Sequence, residues 1–411
     1  MTTVLLAGVP LSPNLGDGLI ASTLNRIIRM KGNVEIIHFD LVQGRCKGGG
    51  SLSPMDESRA VSEHSNINRL NQGGIRKRLT PNWMRMAKSY WLHRRKDTLM
   101  QEQIRKAVAE SDAVLIGGGH LLIDTYLTFP LSVRRVAVEA KRQRKPLHIV
   151  TVGARGPWSL PAKAWFLDVC RTAETISVRD HDSRKFLLSM DAGLETKTVV
   201  LSDPALYTPE AFPLAFAHRS KPERVGSSPQ EVMPVVGLGI MDPHEMNRHS
   251  EYRWERDACA SWWRDLAAHL VRQGFAVDFF TNGSATDNAF MEQYIKPCAS
   301  NIERVYFRPY PTTVYGLVEQ IADCDAVIAQ RLHACIPSLS MFKPTYGLIW
   351  DRKLENIFKD LGLEANVIDF HIPAAQVAQR LDLSAPMPLG VRERLREKKA
   401  QINDYVGRIV V

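Results

Sequence analysis

The sequence predicts an α/β protein made of two Rossmann-like halves facing a cleft, and three observations carry the prediction. The chain has 411 residues, well beyond one domain of ~150 residues, and two domains fit that length better than one or three. Two series of short apolar runs alternate with helix-sized segments, the pattern of parallel sheets covered on both faces. A stretch of weak periodicity holding Pro209, Pro213, Pro222 and Pro229 separates the two series. Composition agrees, since 45% hydrophobic and 24% charged residues exclude a disordered, collagenous or low-complexity chain.

The first series opens with the apolar run Val4–Ala7 and a Pro/Asn/Gly turn. A helix follows that places Ile20, Leu24, Ile27 and Ile28 on one face and stops at Gly32. Val34–Phe39 is the second strand, and residues 44–74, rich in Gly, Ser and Asn, read as an insertion. Ala113–Ile116, Leu147–Val152, Thr175–Val178 and Thr198–Leu201 complete this half. The second half has strands at Val235–Ile240, Ala276–Phe280, Arg304–Phe307, Ala326–Ala329 and Thr345–Ile349. The expected boundaries are a first domain over 1–205, a linker over 206–233, a second domain over 234–390 and a charged helical tail over 391–411. A basic insertion at about 41–110 belongs to the first domain.

Charge is unevenly spread. The net charge is +9, and residues 41–110 carry fourteen Lys or Arg against six Asp or Glu. Arg76-Lys77-Arg78 and Arg94-Arg95-Lys96 flank Trp83, Tyr90 and Trp91. A helix over 82–96 would put Trp83, Ala87, Tyr90 and Trp91 near one face with basic residues off the stripe. Such a helix suits an anionic membrane surface, and equally suits aromatics packed on their own domain with a solvated basic back. Nucleic acid is a weaker reading, since no nucleic-acid motif accompanies the charge. No apolar run approaches the ~18–20 residues of a membrane span, and the N-terminus has no basic region of a signal peptide. Six scattered cysteines without a C-x-x-C pair read as reduced thiols of a cytosolic protein.

Ligands of open α/β sheets bind at the carboxyl ends of strands, so the loops there carry the functional argument. Asn14-Leu15-Gly16-Asp17 follows the first strand, as an anion-binding turn or a plain helix cap. Gly117-Gly118-Gly119 follows Ala113–Ile116 and precedes Asp124; three glycines admit a close ligand or a tight turn. The run is neither a dinucleotide fingerprint nor a P-loop. Gly156-Pro157 and Arg179-Asp180 end the next two strands. Arg179 is placed to grip a carboxylate or phosphate, or to pair with Asp180 or Asp182. Asp203-Pro204-Ala205 reads as a cap. In the second half, Ala326–Ala329 runs into Gln330-Arg331-Leu332-His333-Ala334, and Lys353 stands just beyond the strand Thr345–Ile349. An Arg, a His and a Lys on adjacent strand ends make a cationic site with one group that titrates near neutrality.

Taken in order, Asn14 to Asp17, Asp112 to Gly119, Gly156-Pro157, Arg179 to Ser183, Asp203 to Ala205, Arg331 to Ala334 and Lys353 resemble the polysaccharide pyruvyl transferase family over about residues 3–365. Two departures stand out. The basic, Trp-bearing stretch is longer than usual for the family, and Trp350-Asp351-Arg352 stands where a Tyr often precedes the Lys. The resemblance implies a GT-B-like fold and transfer of the enolpyruvyl group of phosphoenolpyruvate to a sugar, giving a pyruvate ketal and phosphate. It implies His333 and Arg331 as catalytic residues, and Arg179, Arg331, Lys353, Gly118 and Gly119 as donor-binding. Asn14, Asp17 and Asp124 would bind the acceptor, a sugar or a lipid-linked oligosaccharide. Phosphoenolpyruvate is then the co-substrate, with no further cofactor and no metal, at the cytoplasmic side of the cell membrane. The chemistry agrees on its own terms: a donor with a carboxylate and a phosphate needs fixed cations, and protonating its methylene carbon needs an acid, for which His333 is the candidate. The alternatives are a nucleotide-sugar glycosyltransferase on the same fold, with Glu319 or Asp351 on a ribose, and a non-catalytic nucleic-acid-binding protein.

Overall fold

The computed structural model describes residues 1–12, 14–47, 84, 87, 90, 91, 97–124, 127–217, 233–249 and 253–410. The chain divides into two compact units. The first comprises Met1–Ser12, Asp17–Pro204 and Lys398–Val411, and the second Pro13–Gly16 and Ala205–Glu397.

The first unit is built on a seven-stranded sheet, in the order β3-β2-β1-β4-β5-β6-β7. Its strands are β1 (Thr2–Gly8), β2 (Val34–Asp40), β3 (Arg45–Lys47), β4 (Ala113–Ile123), β5 (Leu147–Arg155), β6 (Thr175–Val178) and β7 (Thr198–Val200). All neighbours are parallel except β2 and β3. Helices cover both faces, which is why β1 and β5 read as continuous apolar runs and are buried almost end to end. Each fully buried Leu or Ile here contributes ~1.5–3 kcal/mol of transfer free energy. The helix Leu15–Arg29 starts at Asn14, whose Oδ1 accepts the Gly16 N–H at 3.2 Å, and carries Asp17 in its first turn and Arg26 and Arg29 in its last. Gly32, at φ +128°, turns the chain into β2.

The second unit has a six-stranded, all-parallel sheet in the order β10-β9-β8-β11-β12-β13. Its strands are β8 (Val235–Gly239), β9 (Ala276–Phe280), β10 (Val305–Phe307), β11 (Ala326–Ala329), β12 (Thr345–Leu348) and β13 (Val367–Ile368). Both sheets thus follow the doubly wound plan, with order reversal between β1 and β4 in one and between β8 and β11 in the other.

The structure refines the expected elements in four places. The glycine run is not a loop after a strand ending at Ile116: β4 continues through Gly117–Gly119 to Ile123, with an irregularity in its pairing to β5 between Gly119 and Leu122. The linker expected over 206–233 opens among short helical turns, Pro204–Tyr207, Thr208–Ala211 and Leu214–Ala217, with Ala205, Leu206, Tyr207 and Thr208 buried. Pro209 sits at the start of its turn, where the missing N–H costs nothing; residues 218–232 lie outside the described residues. The helical tail expected over 391–411 is most of one helix. Helix Leu389–Val410 joins the first unit from Lys398 onward, and its Tyr405 hydroxyl bonds Thr175 at 2.7 Å. The insertion supplies a third, unforeseen strand, β3, antiparallel to β2.

Most of the basic stretch, with Trp83 and both Arg/Lys triplets, lies outside the described residues. Met84, Ala87, Tyr90 and Trp91 are helical and exposed, Tyr90 to 45% and Trp91 to 52%. Tyr90 lines a groove of about 350 Å³ on the first unit together with Ile104, Leu131, Val138 and Trp165. None of the six cysteines is in a disulfide. Among the described residues, no helix is long and apolar enough to cross a membrane.

Candidate functional site

In the second unit the chemistry gathers where the strand order reverses, at the carboxyl ends of β8 and β11. The chain leaves β11 through Gln330 and Arg331, and helix Leu332–Ser340 begins on Arg331, which keeps an extended φ/ψ. His333 departs from helical geometry at φ −83°, ψ 16°, so its ring is set by a kink in the first turn. Trp350 Nε1 donates to the Gln330 carbonyl at 2.6 Å and ties the loop after β12 to the loop after β11. Lys353 follows as the second residue of the next helix. Asp351 caps the helix Arg352–Asp360 by accepting the Lys353 N–H at 3.0 Å, and its carboxylate lies 3.7 Å from Lys353 Nζ.

Gly16 belongs to this unit as well. A β-carbon built there would lie 2.6 Å from His333 Nδ1 and 2.8 Å from its Cβ. The glycine of the Asn-x-Gly-Asp motif therefore makes room for the histidine. The Leu15 N–H bonds the Asn282 carbonyl at 3.4 Å, which seats the same turn beside the end of β9.

Arg331 is not an isolated cation. Its Nε and Nη2 donate to the two carboxylate oxygens of Asp287 at 2.9 and 2.8 Å. Asp287 is fully buried and also accepts the Asp242 N–H at 2.9 Å. Burial pushes its carboxyl upward, and the Arg331 guanidinium opposes that rise. Asp242, just past β8, accepts Arg256 at 3.0 and 2.6 Å, and this hydrogen bonding holds the Arg256 guanidinium firmly protonated. Sequence reasoning missed Asp242, Arg256 and Asp287. The available signal was Asp242, a carboxylate two residues beyond the apolar run Val235–Ile240; Asp287 looks like an ordinary first-turn acid of a helix.

The remaining candidates lie in the first unit. Arg179, at the end of β6, donates Nη1 to Asp203 at 3.3 Å and contacts His120 Nδ1 through Nη2 at 3.1 Å. Its main counter-ion is thus Asp203; Asp180 reaches it only at 4.0 Å. Asp203 of Asp-Pro-Ala serves as this counter-ion. Asp180 caps helix His181–Met190 through the Ser183 N–H, and Ser183 Oγ accepts the Ala154 N–H at 3.0 Å, which explains Arg-Asp-x-x-Ser locally. His120, one residue after the glycines, was missed; a polar residue amid a buried apolar strand was the signal.

Gly118 and Gly119 have positive φ values of 78° and 118°. Substituted β-carbons there would face Ile20 and Val9, respectively. Both are therefore packed beside the first helix. Asp17 accepts the Ser12 hydroxyl at 2.8 Å, and its Oδ1 lies 3.9 Å from the β-carbon position of Gly119. Asp124 accepts the Leu127 and Ser159 amides, both at 3.0 Å, and so ties two loops together. Arg331, His333, Lys353 and Gly16 are thus gathered in one unit. Arg179, Gly118, Gly119, Asp17 and Asp124 belong to the other.

Comparison with known proteins places this arrangement. No sequence among curated proteins matches the chain. Among solved structures, UDP-GlcNAc 2-epimerase from Methanocaldococcus jannaschii is similar at a TM-score of 0.58 and 12% identity, over 98% of this chain and 100% of that one. The S. aureus MnaA–UDP structure gives 0.52 and 11% identity, over 99% and 94%. At such identities the likeness shows the fold alone, which is GT-B-like, as expected. The family model for polysaccharide pyruvyl transferase matches residues 14–352, a span running from Asn14 through Gly16, Arg179, Arg331 and His333 to the threshold of Lys353. The chain belongs to the polysaccharide pyruvyl transferase family.

Proposed function

We propose that the protein transfers the enolpyruvyl group of phosphoenolpyruvate to a sugar of a polysaccharide or its lipid-linked precursor, forming a pyruvate ketal and releasing phosphate. One observation carries the reading: within a chain of this family, the Arg331–His333 turn at the sheet's switch point is joined by the Trp350–Gln330 hydrogen bond to the segment that leads into the Lys353 helix. Arg331 and Lys353 supply the cationic ground for an anionic donor. His333 protonates the methylene carbon, and a sugar hydroxyl attacks the neighbouring carbon as it becomes electron-deficient. The hydroxyl's proton replaces the one His333 gave up. The carbon–oxygen bond to phosphate then breaks, a second hydroxyl closes the ring, and its proton leaves with the phosphate. General acid–base help of this kind is worth ~10²–10⁴-fold.

Arg179, Gly118 and Gly119 of the first unit are assigned to donor binding, and Asp17 and Asp124 of that unit, with Asn14 of the second, to the acceptor. Its two partners fix the Arg179 guanidinium plane, as recognition of a planar carboxylate or phosphate requires. Incubation with phosphoenolpyruvate and a panel of sugars, read by phosphate release and by mass spectrometry of the sugar, tests the reading. Consumption of a nucleotide sugar instead would favour a glycosyltransferase.

The membrane reading is part of the same proposal. Exposed Tyr90 and Trp91, in a stretch bearing six basic residues in two triplets, suit an anionic lipid surface. Each basic residue contributes ~1 kcal/mol near such a surface, and salt weakens it. Co-sedimentation with anionic liposomes at low salt, and none with neutral ones, is the expected outcome. Charge reversal at Arg76, Lys77, Arg94 and Arg95 should abolish it and spare turnover of a soluble acceptor. Failure of the wild-type protein to co-sediment at low salt would make these aromatics a packing or subunit surface.

A further inference from the structure

We propose that Asp287 tempers the charge of Arg331 and fixes its plane, so that the anion site of the second unit holds phosphate loosely enough to release it. The inference rests on the reading of Arg331 as an anion-binding residue. Its ground is a chain of four charged groups. Arg256 engages both carboxylate oxygens of Asp242, the Asp242 N–H is donated to Asp287, and Asp287 engages Arg331 at two points. Asp242 is thereby balanced by its own arginine, and the buried charge of Asp287 is left to Arg331.

Geometry gives Asp287 two effects. A two-point contact to a fully buried carboxylate keeps the guanidinium from swinging. It takes the Nε edge and leaves Nη1 on the opposite side, in a side chain that is 17% exposed. An anion resting on Nη1 lies about one guanidinium's width from the Asp287 carboxylate, so it meets a repulsive charge together with the attractive one. At the effective dielectric of ~20 that suits partly buried sites, a unit charge at that range is felt strongly. Loss of orientation acts the other way but is limited, since the buried stem still confines the side chain. The charge effect wins. A site built this way recognises a multiply charged donor through several cations at once and does not trap the smaller phosphate product.

The test is a calorimetric titration of the full chain with inorganic phosphate, comparing wild type, Asp287→Asn, Arg331→Ala and the double variant. Asp287→Asn keeps the volume and the acceptor for the Asp242 N–H. It should tighten phosphate binding by about fivefold or more. The double variant should match Arg331→Ala within about twofold, because without Nη1 phosphate is no longer held within range of Asp287. Unchanged or weaker affinity in Asp287→Asn would overturn the inference, as would the same tightening without Arg331, or a wild type that binds no phosphate. Should Asp287→Asn not fold, Arg331→Lys decides the matter: a compact ammonium spent on Asp287 offers no second edge, and phosphate affinity should fall about fivefold or more. Equal affinity there would also overturn the inference. These titrations need no turnover, so a wild type that binds phosphate but does not consume phosphoenolpyruvate would sink the functional reading alone.

Discussion

At the scale of single residues, the most informative position is Gly16. Within a helix, glycine gives up ~0.5–1 kcal/mol relative to alanine, yet this chain places one in the first turn of Leu15–Arg29. The reason is spatial: a methyl group there would meet the His333 ring and Cβ at 2.6–2.9 Å. Gly16→Ala should therefore lower the melting temperature slightly, since overpacking costs ~1–3 kcal/mol and the helix regains only ~0.5–1 kcal/mol. Turnover should fall by about tenfold or more, because displacing a reacting group by even ~1 Å costs on the order of 10²-fold. A melt and a rate on the same sample check both halves. An unimpaired rate would show that the Gly16 contact does not set the histidine. Arg331 and Arg179 share a second lesson: each candidate anion binder is held by a buried carboxylate, Asp287 and Asp203, respectively. The sequence motifs name the arginines, while the carboxylates that aim them lie 44 and 24 residues away.

At the scale of elements, the strands are held by close approach at a few glycines. A β-carbon on Gly8 would stand 2.6 Å from the backbone oxygen of Gly117, so Gly8→Ala would force β1 and β4 apart. Overpacking of this kind costs ~1–3 kcal/mol. Thermal unfolding should show a fall of several degrees, and an unchanged melt would contradict the packing role of this pair. Almost every strand was legible in the sequence, because a strand buried on both faces must be an apolar run bounded by turns, as at Val235–Gly239 and Ala326–Ala329. The continuation of β4 through Gly117–Gly119 was not legible. Glycine punctuates loops more often than strands, and it is the pairing of Gly117 with Val150 and of Gly119 with Val152 in β5 that puts the run inside a sheet. The turns at 204–217 were hidden for a similar reason, since proline marks a linker and the first turn of a helix alike. Within the candidate site, Arg331, His333 and Lys353 were legible because strand ends in an alternating fold are where ligands bind. Asp287 was not, because its role depends on a neighbour distant in sequence.

At the scale of the whole molecule, each doubly wound sheet has a switch point, between β1 and β4 in one and between β8 and β11 in the other; the Asn14–Asp17 turn leaves β1 and the Arg331–Ala334 turn leaves β11. Six of the seven motifs follow a strand, and the glycine run lies inside β4. The plan alone does not choose the reaction, since fold and function are separable. The choice rests on His333 as a proton donor beside cations, and a direct assay can examine it. Wild-type protein and His333→Ala are incubated with phosphoenolpyruvate and a sugar panel, with phosphate release and sugar mass followed together. The account predicts that wild type releases one phosphate per pyruvate ketal formed on a sugar, and that folded His333→Ala is slower by ~10²-fold or more. No phosphate release by wild type with any acceptor, or a His333→Ala variant retaining more than about a tenth of the rate, would contradict it.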